Sequence, residues 1–140
     1  MNLEQLETTA KAMAAPGKGI LAADESTPTI GKRFDQINAE STEENRRTYR
    51  DMLFTTEGME NYISGVILFD ETLRQSTVDE DLPFSKHLSN LGVVPGIKVD
   101  KGAKELAGFE GEKVTEGLDG LRDRLKEYYD LGARFAKWRA

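Results

Sequence analysis

The sequence has no cysteine, one histidine and one tryptophan among its 140 residues. Without thiols there is no disulfide and no thiolate nucleophile. One imidazole with scattered carboxylates offers no metal-ligand spacing. No apolar run approaches the roughly 20 residues of a membrane span, and the N-terminus lacks the basic-then-apolar plan of a signal peptide. No Asn-x-Ser/Thr sequon occurs, and basic residues never cluster beyond pairs such as Arg46-Arg47 in a chain of net charge −6. Nucleic acid is therefore not an expected partner. Neither G-x-G-x-x-G nor G-x-x-x-x-G-K-[ST] is present, so no glycine-rich nucleotide cradle is expected. What survives these exclusions is a cytosolic protein that uses no metal or other cofactor and touches no membrane.

What is there alternates in kind. Residues 3–15 space Leu3, Leu6, Ala10, Met13 and Ala14 helically until Pro16-Gly17 ends the run. Gly19–Ala23 is a short continuous apolar run closed by Asp24-Glu25-Ser26, as suits a parallel strand covered on both faces. Thr27-Pro28 starts a helix with proline in its first turn. Ser41-Thr42-Glu43-Glu44 opens another through Leu53. Ile63–Phe69 is a second apolar strand, followed by helical stretches at 71–75 and 84–91. Val93–Val99 is a third, in which Pro95-Gly96 predicts a bulge or irregular entry. A glycine-punctuated loop over 102–117 precedes a helix at 118–131, and Phe135–Arg139 reads as a fourth, buried strand.

Strand and helix in alternation is the grammar of an α/β fold. The missing glycine-rich first turn favours a (β/α)8 barrel over an open nucleotide-binding sheet. Such a barrel needs about 250 residues and eight strands. The whole of 1–140 then reads as the N-terminal half of one barrel domain, four βα units preceded by a helix. A natural domain seldom closes directly after such a strand, so the expectation is the front part of a longer enzyme.

Charge gathers at the strand ends, where both architectures place their sites. In a strand, Lys137 and Arg139 point to one face, and Lys98 and Asp100 repeat that geometry. Like charges on a buried face need an anion, either a carboxylate of a neighbouring strand or a phosphorylated ligand. Three cations at one mouth exceed what Asp24 alone neutralises, which points to a phosphorylated ligand. Crowded cations also favour a neutral amine, making a lysine a candidate Schiff-base nucleophile or proton carrier. Ser26, Thr29 and the helix start behind them are candidate phosphate contacts, although the hydroxyls also suit caps. Arg33, Arg46 and Arg47 lie on helices, where a solvated or salt-bridged face is the default. His87 sits in a polar helix with no catalytic company.

Six blocks in order then resemble one family. They are Gly17–Thr27, Asn45-Arg46-Arg47, Gly65–Phe69, Gly96–Gly102, Gly117–Leu121 and Phe135–Arg139. Together they resemble the class I, Schiff-base, metal-independent fructose-bisphosphate aldolases. The resemblance implies reversible cleavage of fructose 1,6-bisphosphate to dihydroxyacetone phosphate and glyceraldehyde 3-phosphate, with a sugar bisphosphate as the partner. It implies that Asp24 handles hydroxyl protons and that Lys137 assists the Schiff-base chemistry. Lys98 and Arg139 are implied near the 6-phosphate with help from Ser26, and Arg33 and Arg46 among the substrate contacts. The full-length form is expected to be a homo-oligomer. The family usually has Gly-Ser where this chain has Pro28-Thr29; Thr29 keeps a hydroxyl and Pro28 removes a donor. The family's covalent lysine, catalytic glutamate and most of its 1-phosphate site lie on later strands. The competing reading is an inactive half-barrel that needs a complementing chain or self-association.

Overall fold

The computed structural model describes residues 2–139. Helix α1 (Leu3–Met13) begins where the Asn2 side chain accepts the Gln5 amide, satisfying one of the donors that a helix start leaves open. Strand β1 (Gly19–Ala23) leads through helices α2 (Thr27–Asp35) and α3 (Glu43–Phe54) to strand β2 (Ile63–Leu68). At α3 the helix starts as expected but one residue later than the Ser41–Glu44 capping box implies: Thr42 is the N-cap, its Oγ1 accepting the Asn45 amide. Short helices α4 (Asp70–Leu73) and α5 (Phe84–Asn90) connect β2 to strand β3 (Val94–Lys98).

The segment read as an open loop is partly ordered. It carries a two-stranded antiparallel ribbon, β4 (Ala103–Glu105) with β5 (Lys113–Thr115). The signal in the sequence was only the short Lys113-Val114-Thr115 run, too brief to stand out among glycines. Helix α6 (Leu121–Asp130) then leads to strand β6 (Phe135–Lys137). β1, β2, β3 and β6 form one parallel sheet in that order. No helix among the described residues is long and apolar enough to cross a membrane.

Two expectations are corrected. Pro95-Gly96 does not bulge; both residues hold regular parallel register with Val66 and Ile67, and the one irregularity in this sheet lies between Gly19 and Ile20. Gly96 is needed for space, because a Cβ there would fall 2.3 Å from the Phe135 ring. The final strand is shorter than expected and is not buried. Trp138 and Arg139 lie beyond it, Ala136 is exposed and Phe135 and Lys137 are half-buried. The reason is position: within the described sheet β6 is an edge with a single neighbour.

Register sorts the side chains onto two faces. Leu21, Ala23, Val66, Leu68 and Ile97 share one face and pack, with Phe54 of α3 and Phe84 and Leu88 of α5, into the main core. Phe54 and Phe84 meet edge to face at 5.2 Å, and full burial of each ring contributes about 2–3 kcal/mol. The opposite face carries Ile20, Ala22, Ile67, Gly96, Lys98, Phe135 and Lys137. This face contains the site.

Candidate active site

Asp24 follows Ile20 and Ala22 in the alternation and so shares the face of Lys98 and Lys137. Its Oδ2 lies 2.6 Å from Lys137 Nζ, although the two residues are 113 positions apart. β1 and β6 are separated by two intervening strands, and three inter-strand steps of a flat sheet amount to about 14 Å. Side chains standing perpendicular to a flat sheet would keep that separation at their tips. The sheet must curl for the bridge to form, with the face that carries Asp24, Lys98 and Lys137 on the inside. Asp24 is 7% exposed, so the carboxylate is withdrawn from water and held against its cation.

Lys98 pairs in register with Lys137, so the two ammonium groups rise from adjacent strands on one face. Each has its own anion. Lys98 Nζ donates to Asp100 Oδ1 at 2.7 Å and to the Asp100 carbonyl at 2.8 Å. Burial pushes the Asp100 carboxyl up, but the Lys98 ammonium and the backbone N–H groups of Gly102 and Arg139 outweigh it and hold the group below its ordinary range. The neutralising anions are thus in part carboxylates from neighbouring strand ends. Arg139 is exposed and uses its backbone N–H on Asp100 Oδ2 at 3.3 Å. Lys98 and Lys137 are thus each matched by a carboxylate, Asp100 and Asp24, and the Arg139 backbone is drawn to the same rim.

Behind Asp24, Ser26 occupies the N-cap position of α2 in extended geometry but makes no capping bond. Its hydroxyl lies 3.1 Å from that of Thr29. Pro28 sits in the first helical turn, where the donor it lacks would have gone unpaired in any case.

Arg33 reaches Glu25 rather than an open pocket, with Tyr49 Oη 3.5 Å away. Arg46 makes a two-pronged bond to Glu71, Nε–Oε1 at 2.8 Å and Nη2–Oε2 at 2.7 Å, and also donates to the Ser41 carbonyl. Glu71 holds the Arg46 guanidinium above its ordinary range, so its donors are committed inside the protein. Arg47 donates to the carbonyls of Ser76 and Thr77. His87 Nε2 lies at hydrogen-bond distance, 3.0 Å, from the Phe54 carbonyl. Among the described residues no three His, Cys, Asp or Glu side chains are grouped to hold a metal ion.

One residue at the site is not evident from the sequence. Arg50 of α3 is 2% exposed and donates to the Ala23 carbonyl, the Glu25 carbonyl and the Glu25 carboxylate. Burial pulls its guanidinium below the ordinary range, against the opposing pull of Glu25. The only signal was its place in Arg46-Arg47-x-x-Arg50, which reads equally well as a solvated helix face.

Parallel strands that end in lysine–carboxylate pairs on one curled face define an α/β protein with a strand-end polar site. The sequence profile of the class-I fructose-bisphosphate aldolases matches residues 5–140, and the chain belongs to that family. It is 66% identical, over its full length, to the probable fructose-bisphosphate aldolase class 1 of Xanthomonas campestris pv. campestris, of which it covers 42%. It is 61% identical over 97% of its length to the cytosolic fructose-bisphosphate aldolase 4 of Arabidopsis thaliana, covering 34% of that protein. Among solved structures, the Plasmodium falciparum aldolase crystallised with TRAP and a small-molecule inhibitor superimposes with a TM-score of 0.93 at 56% identity. That match covers 98% of this chain and 39% of the other.

Proposed function

We propose that residues 1–140 supply the N-terminal half of a (β/α)8 barrel and one wall of a site that cleaves fructose 1,6-bisphosphate reversibly through a lysine Schiff base. The observation that carries this is the Asp24–Lys137 bridge across the curled face with Lys98 beside it. Aldol cleavage needs a base for a hydroxyl proton as the carbon–carbon bond breaks, and Asp24 is a carboxylate already hydrogen-bonded to an ammonium that can steady its charge. The cations Lys98, Lys137 and Arg139 suit a phosphorylated sugar, which would take the place of their carboxylate partners. The Ser26 and Thr29 hydroxyls stand at a helix start that lacks a side-chain cap. Arg33 joins this set by exchanging Glu25 for a substrate oxygen, and Arg46 acts from behind the site through Glu71. In this reading the covalent lysine lies on a later strand. The assembled enzyme is a cytosolic homo-oligomer, in keeping with the cytosolic plant relatives.

The test is a chimera joining residues 1–140 to the remaining portion of the Xanthomonas relative. Cleavage of fructose 1,6-bisphosphate is expected. Borohydride reduction with dihydroxyacetone phosphate should trap an adduct in the grafted portion and none in the 140-residue chain alone. An adduct at Lys137 would overturn the helper role given to it.

A second reading has its own observation. Within the described sheet β1 and β6 each pair on one side only, and Ile20 on β1 is 44% exposed. A polypeptide of these 140 residues alone would be an inactive half-barrel that completes itself by association.

A further inference from the structure

We infer that Arg50, together with Glu25, is the positioning residue of Asp24. This inference rests on the proposed role of Asp24 and extends it to a buried residue of α3. The guanidinium donates from Nε to the Ala23 carbonyl at 2.8 Å and from Nη2 to the Glu25 carbonyl at 3.1 Å. Those carbonyls lie one residue before and one residue after Asp24. The same Nη2 reaches Glu25 Oε2 at 2.9 Å. A planar, rigid fork thus fixes the backbone on both sides of the carboxylate-bearing residue, where β1 has ended and ladder bonds no longer hold it.

Burial makes the arrangement costly unless it is complete. Arg50 is fully buried and Glu25 is 10% exposed at its side chain. An unpaired charge at either position would be strongly destabilising. Glu25 has a second partner in Arg33, which is 55% exposed. The acid beside the proposed base therefore joins a buried arginine to one at the surface. A lysine in place of Arg50 would keep the charge and the pairing with Glu25. Its single nitrogen on a flexible stem lacks the fixed fork that engages the carbonyls before and after Asp24.

The experiment uses the chimera described above with Arg50→Lys, beside Leu88→Ala, a core change in α5 that removes no hydrogen bond from the backbone around Asp24. With both variants compared per folded molecule, Arg50→Lys is expected to lower kcat about 100-fold with KM nearly unchanged, the signature of a base displaced by about 1 Å. Leu88→Ala should lose thermal stability and keep kcat. Crystal structures give a readout independent of turnover. The Asp24–Lys137 separation, 2.6 Å here, should open beyond hydrogen-bond reach in Arg50→Lys and stay closed in Leu88→Ala. The clamp is overturned if the bridge persists in Arg50→Lys, or if its kcat falls no further than that of Leu88→Ala. A folded parent chimera that fails to cleave the sugar counts against the proposed function, and the Asp24–Lys137 separation then decides on the clamp by itself.

Discussion

Asp100 shows how a single carboxylate organises its neighbours. Its two oxygens receive the Lys98 ammonium and the backbone N–H groups of Gly102 and Arg139, so it joins the end of β3 to the segment after β6. Its pKa is depressed in the folded protein. The stabilisation it confers is therefore complete above the ordinary carboxyl range and is lost as acid titrates the folded group. Asp100→Asn is expected to cost about 2 kcal/mol at neutral pH, the scale of a charged hydrogen bond. The gap to the parent should close as the pH falls from about 4 through the depressed value. Urea denaturation of parent and variant at neutral pH and at about pH 3 measures both points; a gap that stays constant with pH would contradict the assignment.

At the scale of elements, the close approach of β3 and β6 depends on a missing side chain. The Phe135 ring lies over Gly96, and a methyl group there would sit 2.3 Å from it. Gly96→Ala is expected to destabilise the fold by about 1–3 kcal/mol, the usual cost of overpacking, as read from a denaturant midpoint. It should also disturb the pairing that sets Lys98 beside Lys137. The strands themselves were legible in the sequence, because continuous apolar runs closed by charge admit few other readings. Pro95-Gly96 misled because propensity carries no knowledge of an aromatic ring arriving from a strand 39 residues further on. The burial assigned to Phe135–Arg139 misled because alternation reports facing and not neighbours. Asp24, Lys98 and Lys137 were legible by spacing, and their shared face follows from register. Arg50 was not, since a buried clamp and a solvated arginine have the same letters on a helix.

For the whole molecule, the described sheet has two open edges and an inner face on which Ile20 and Ala22 are exposed. The chain covers 42% of the Xanthomonas relative, and barrels remove edges by closing. A polypeptide of these 140 residues is expected to associate with rising concentration in analytical ultracentrifugation. The chimera should not expose these edges and should give a defined assembly. A stable monomer of 140 residues at high concentration would show that the edges are protected by themselves.

The contact between Asp24 and Lys137 has a consequence for assembly in time. A one-residue slip in any of the three pairings between β1 and β6 would turn one partner to the wrong side of the sheet. The bridge thus closes only when every intervening ladder is in its correct frame. During synthesis the carboxylate emerges more than a hundred residues before its ammonium partner, so it waits unmatched until the last of these strands docks.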